Sequence, residues 1–124
     1  MSQDIIADTL NEVMNAQKSR KETVVVDRHS KLLLQVLEIG KKEGYIENYK
    51  INKTKLEIKI GNLNECRAVK PRFYATKNEI MKYVKRFLPA RGVGTIIIST
   101  NKGVITHEKA INENIGGALI AYFY

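Results

Sequence analysis

A chain of 124 residues, 44% of them hydrophobic, can bury one or two small cores, and it contains no apolar run near the ~18–20 residues of a membrane span. Its one cysteine excludes a disulfide framework and a cysteine-based zinc site. The formal charge of +8 is lopsided: residues 1–63 carry 11 Lys+Arg against 9 Asp+Glu, and residues 64–124 carry 10 against 4. The start, Met1-Ser2-Gln3-Asp4, is neither basic nor followed by a long apolar segment, so no secretory signal is read there and a cytosolic protein is expected.

In chain order, Ile6, Leu10, Val13 and Met14 make one helical stripe from about Asp4 to Gln17, with Asp4, Asp8, Asn11 and Asn15 opposite. After the basic turn Lys18 to Lys21, Thr23-Val24-Val25-Val26 has strand composition. Ser30 stands at an N-cap position before Lys31 to Ile39, a helix apolar around much of its girth, and Gly44 is its expected stop. Tyr45 to Ile51 and the alternating Lys55-Leu56-Glu57-Ile58-Lys59-Ile60 read as two strands joined at Asn52-Lys53. The first half is therefore αβαββ, and Gly61-Asn62-Leu63-Asn64 is the candidate linker.

Beyond it, one strand is expected from Arg67 to Ala75, with Pro71 marking an edge or a bulge. Thr76 with Glu79 matches a capping box opening a helix whose apolar face holds Ile80, Tyr83, Val84, Phe87 and Leu88. Lys82, Lys85 and Arg86 share its other face, and Pro89 ends it. Thr95 to Thr106 reads strand, turn, strand; Thr106 caps a short helix to about Glu113; Gly116-Gly117 breaks the chain before a last strand, Ala118 to Tyr124. The fold class is thus α+β in two small mixed domains, residues 1–62 and 66–124, the second β-rich with one longer and one short helix.

Between Cys66 and Arg91, eight cations (Arg67, Lys70, Arg72, Lys77, Lys82, Lys85, Arg86, Arg91) are opposed only by Glu79, a footprint suited to phosphates. The turn Ser99-Thr100-Asn101-Lys102-Gly103 offers hydroxyls, an amide, one point charge and a glycine, although the same residues also build ordinary polar turns. Tyr74 and Tyr83 could stack on a base, with core packing the better fit for Tyr83. Catalytic signals are lacking. His29 and His107 have no metal-ligand spacing and read as polar loop or cap residues, Cys66 reads as a half-buried structural thiol, and Gly92-Val93-Gly94 lacks the context of a nucleotide loop. No catalytic residue, metal ligand or cofactor is assigned.

Over nearly its whole length the chain resembles the S-eight family of small-subunit ribosomal proteins. The matching residues are Asp4 to Asp8 with Asn15-Ala16, Ser30-Lys31-Leu32, Gly44-Tyr45-Ile46, and above all Ser99 to Ile105 with Glu108, Ala110, Gly116-Gly117 and Ala121-Tyr122. Lys70 to Phe73, Leu88 to Arg91 and His107-Glu108 resemble the archaeal and eukaryotic branch. The resemblance implies a non-enzymatic protein of the cytoplasmic small subunit that binds a stem of the central domain of small-subunit rRNA early in assembly, beside neighbouring ribosomal proteins. It implies that Ser99, Thr100, Asn101 and Gly103, with Lys102 among them, meet an unpaired-base core of that stem, while Ser30, Lys31 and the first helix, with Asp4 and Asn15, lie against adjacent backbone. Lys82, Lys85 and Arg86 are expected to anchor phosphates. Two departures stand out: Ile5 where many members have proline, and Ala118 where many bacterial members have glutamate. The alternatives are a small RNA-processing enzyme and a basic RNA-binding adaptor outside the ribosome.

Overall fold

The stripe Ile6, Leu10, Val13 and Met14 is buried along helix α1 (Ile5–Lys18) in a computed structural model that describes residues 5–69, 73–90 and 92–124. Asp4, Lys70, Pro71, Arg72 and Arg91 lie outside the described residues. Strand β1 (Thr23–Val26) follows, then α2 (Lys31–Lys42), β2 (Ile46–Asn52) and β3 (Lys55–Ile60), the αβαββ order expected. Ser30 caps α2, its Oγ accepting the Leu33 N–H at 3.2 Å. At the other end Gly44 takes φ +88 while Tyr45 N–H reaches Gly40 O at 2.9 Å and Gly44 N–H reaches Lys41 O at 3.2 Å. Only a left-handed residue closes both bonds, so glycine stops the helix there. The three strands form one antiparallel sheet in the order β1-β3-β2.

The second half contributes β4 (Cys66–Ala68), β5 (Tyr74–Ala75), α3 (Ile80–Phe87), β6 (Thr95–Thr100), β7 (Gly103–Thr106), α4 (His107–Glu113) and β8 (Gly117–Phe123). Its antiparallel sheet runs β4-β8-β6-β7, with β5 also on β8. Thr95 to Ile98 are all buried because β6 is covered on both faces: Ile97 joins a core with α1, α2 and the first sheet, while Ile96 and Ile98 join a second core under α3 and α4. Each such isoleucine contributes about 1.5–3 kcal/mol of burial. The first core draws on both halves, since Leu10, Leu33 and Ile58 pack in it with Cys66, Ile120 and Phe123.

Three expectations need correction. The single strand from Arg67 to Ala75 is two short strands on the same neighbour: Ala68 lies opposite Ala121 and Tyr74 opposite Ala118, so six residues on one side span three on the other. A proline has no N–H for a ladder, and the stretch around Pro71 falls outside the described residues. The Thr76–Glu79 box is half formed. Thr76 N–H and hydroxyl both donate to Glu79 Oε1 at 3.0 Å, which holds that carboxyl below its usual pKa, but a turn intervenes and the helix starts only at Ile80. Cys66 is fully buried rather than half-buried, and burial pushes its thiol up to about 12.

Candidate nucleic-acid interface

β6 leaves the core at Ser99 and turns back through Asn101-Lys102 into β7, with Ser99 opposite Val104 and Thr100 opposite Gly103. The tip is internally braced. Thr100 Oγ1 donates to Gly103 O at 2.8 Å and accepts the Lys102 N–H at 3.1 Å, so this hydroxyl is committed to the turn. Gly103 has φ +110 with nothing within 4 Å of an added Cβ, so its role is a backbone angle that side-chain-bearing residues resist, not a crowded approach. Lys102 Nζ reaches Glu113 Oε1 on α4 at 3.4 Å. Ser99 hydroxyl and Asn101 amide carry no hydrogen bond among the described residues, which leaves them as the tip's available donors and acceptors.

Around these groups lies a cleft of about 320 Å³, lined by Ser99, Thr100 and Asn101 on one side and by Tyr74, Ile115, Gly116 and Ala118 on the other. Tyr74 is 65% exposed, and Ala118 sits opposite both Tyr74 and Ser99 in the sheet. The glycine pair has a purpose that its reading as a chain break missed. A Cβ on Gly117 would stand 2.3 Å from Ser99 O, and one on Gly116 would stand 2.4 Å from Ala75 O. Both glycines let β8 close on its neighbours and so bring Tyr74 alongside the tip.

His107, expected as a polar loop or cap residue, stands at the start of α4 directly after the cap Thr106 but is a buried strut: its Nδ1 accepts the Ile96 N–H at 3.0 Å and ties that helix to β6. Burial holds its pKa below the usual histidine value, against the opposing pull of Glu108 and Glu43.

Two other groups of expected residues lie apart from the tip. Lys82, Lys85 and Arg86 are exposed on α3, with Lys82 Nζ 5.7 Å from the Tyr83 ring centre and Arg86 Cζ 5.8 Å from that of Phe87. Those rings belong to a row, Phe73–Tyr83–Phe87–Tyr122–Tyr124, packed along the second core, so Tyr83 is a packing residue while Tyr74 stands clear. Ser30 and Lys31 mark the N-terminus of α2, whose first amides and positive dipole end suit an anion. Asn15 lies elsewhere, in a cleft between α1 and β1 that it shares with Glu12. Asp4 is outside the described residues.

The family described as ribosomal protein S8 matches residues 4–124 of this chain. The small ribosomal subunit protein uS8 of Nanoarchaeum equitans (strain Kin4-M) is 40% identical to it over 129 residues, an alignment that takes in 100% of both chains.

Proposed function

This chain belongs to the ribosomal protein S8 family, and from that premise we propose that it binds an irregular stem in the central domain of small-subunit rRNA and supports subunit assembly. It is a protein of the small ribosomal subunit in the cytoplasm, of a family that is structural rather than enzymatic. The observation that carries the RNA reading is the cleft in which a braced turn presents the Ser99 hydroxyl and the Asn101 amide across from an exposed Tyr74 ring. The deep, narrow major groove of A-form RNA shuts out side chains, so sequence-dependent contact relies on splayed bases, stacking surfaces and small polar groups. Lys82, Lys85 and Arg86, with the Ser30–Lys31 helix end, supply contacts to phosphate in this reading. Asn15 stands in a cleft with Glu12 and Lys21, whose charges cancel and leave nothing there to draw phosphate, so it is not counted among the RNA contacts. Residues 1–62 and 66–124 are taken as two domains, one per sheet, despite the core they share.

The test is a titration of the whole protein against a central-domain stem and a plain duplex. Ser99→Ala and Asn101→Ala each remove a hydrogen bond from a desolvated partner and should cost about 1–3 kcal/mol on the stem. Neither should alter the duplex or the salt dependence. Gly103→Val should lose stem preference as well, because valine strains the φ of +110. Variants that stay folded and prefer the stem as strongly as the parent would sink the assignment. A nuclease assay with added divalent metal separates it from an RNA-processing enzyme, and no cleavage is expected.

A further inference from the structure

We propose that the free edge of β1 takes an extended segment of another protein as an added strand, and that this segment alternates basic with β-branched residues. β1 ends the first sheet, and among the described residues it pairs only with β3. The direction of its backbone groups follows from the register. Ile60 N–H bonds Glu22 O at 2.8 Å, and Thr23 faces Lys59 one step along, so Glu22–Ile60, Val24–Ile58 and Val26–Leu56 are the bonded pairs of the ladder. Thr23 and Val25 therefore aim their N–H and C=O away from β3, and neither group has a partner among the described residues.

Edge strands are ordinarily protected by charges, a proline or a bulge. The opposite edge of this sheet has such protection: β2 carries Glu47 and Lys50 and a register shift between Ile46 and Asn48. β1, Thr-Val-Val-Val, has no charge, no proline and no bulge, and Val25 is 55% exposed.

The edge also borders a ready space. Two clefts of about 240 and 270 Å³ lie between α1 and β1, and both touch Glu12 and Val25, so they adjoin along the strand. An edge strand beside a helix is a recurring arrangement for strand addition, with main-chain bonds giving affinity and alternate side chains giving specificity. Guest side chains turned toward α1 would meet Asp8 and Glu12, while those turned the other way would lie beside Val25. Asp8 already has a long ion pair to Arg28 at 3.8 Å, whereas Glu12 has no ion partner among the described residues. Together the two clefts are lined by three carboxylates, Asp8, Glu12 and Asp27, against two cations, Lys21 and Arg28, so on a chain of net charge +8 this groove is net acidic, which disfavours RNA and favours a lysine- or arginine-bearing strand.

The experiment uses assembled small subunits carrying a photo-cross-linking residue at position 25, with amide hydrogen exchange followed in parallel. The Thr23 and Val25 amides should exchange freely in the isolated protein and be protected in the subunit. The adduct should be a protein segment alternating basic and β-branched residues, and Glu12→Lys should lower its yield roughly tenfold. Val25→Pro deletes the outward N–H without removing a β3 bond, so it should leave Thr23 unprotected in the subunit. RNA adducts at position 25, the absence of a protein adduct, a yield unchanged by Glu12→Lys, or protection of Val25 already in the isolated protein would each overturn the proposal. None of these outcomes depends on the hairpin tip, so failure here leaves the RNA reading standing.

Discussion

The hairpin tip and the exposed face of α3 are both polar, but they are held in different ways. The tip ends a strand buried on both faces, its turn is closed by two bonds through the Thr100 hydroxyl, and its one charge is drawn to Glu113. The cations of α3 sit on long stems, two of them lying over aromatic rings, with their charged ends in solvent. Hydrogen bonding to a base demands position within a few tenths of an ångström, whereas neutralising a phosphate tolerates slack. In the proposed reading, discrimination therefore belongs to the braced element and general attraction to the loose one.

Loosening the braced element should produce the largest change. Gly117→Ala puts a methyl group against Ser99 O, a backbone atom that cannot swing aside, so β8 and β6 must part. Overpacking of this kind costs about 2–3 kcal/mol. Chemical denaturation should register that loss, and the folded fraction should bind stem and duplex more nearly alike. An undiminished stem preference would mean that the spacing of Tyr74 from the tip is irrelevant.

A milder loosening comes from acid. His107 is held neutral in the folded protein, with its pKa below the ordinary ~6.5 that the unfolded chain retains. Between the two values the unfolded state binds the extra proton, so stability is complete above about pH 6.5 and declines as pH falls toward the folded pKa. Denaturation midpoints at pH 7.5 and pH 5.5 should show that decline in the parent. His107→Asn keeps an acceptor for the Ile96 amide but does not titrate, so its decline over this interval should be shallower. Equal declines would remove His107 as the acid-sensitive strut of β6.

The smallest effect is expected on α3. Replacing Lys82, Lys85 or Arg86 singly by glutamine should weaken stem and duplex alike and flatten the slope of log affinity against log salt by about one unit for each residue that contacts a phosphate. A loss of stem preference with an unchanged slope would invert the comparison and make α3 the reader.

Much of this division was legible before any coordinates. Periodicity found the helices and the αβαββ order, the cap residues Ser30 and Thr106 marked two helix starts, and the polar run from Ser99 to Gly103 singled out the tip. Those signals are local, because side-chain spacing, capping and turn chemistry act over three or four residues. Helical spacing already assigned Tyr83 to packing, but local signals could not tell that Thr100 is spent inside its own turn or that Tyr74 faces outward beside the tip.

Nor could they show what Gly116-Gly117 is for. As sequence the pair reads as a break; in the sheet it is clearance for Ser99 O and Ala75 O, which come from strands far away in the chain. His107 likewise became a strut only because the return of β7 and α4 carries its ring to Ile96. The amino-acid order determined the elements, the charge asymmetry and the chemistry of the tip through interactions among near neighbours. Tertiary structure decided which of those groups share a cleft, which are buried and which sheet edge stays open, since each of these depends on the pairing of strands brought together across the fold.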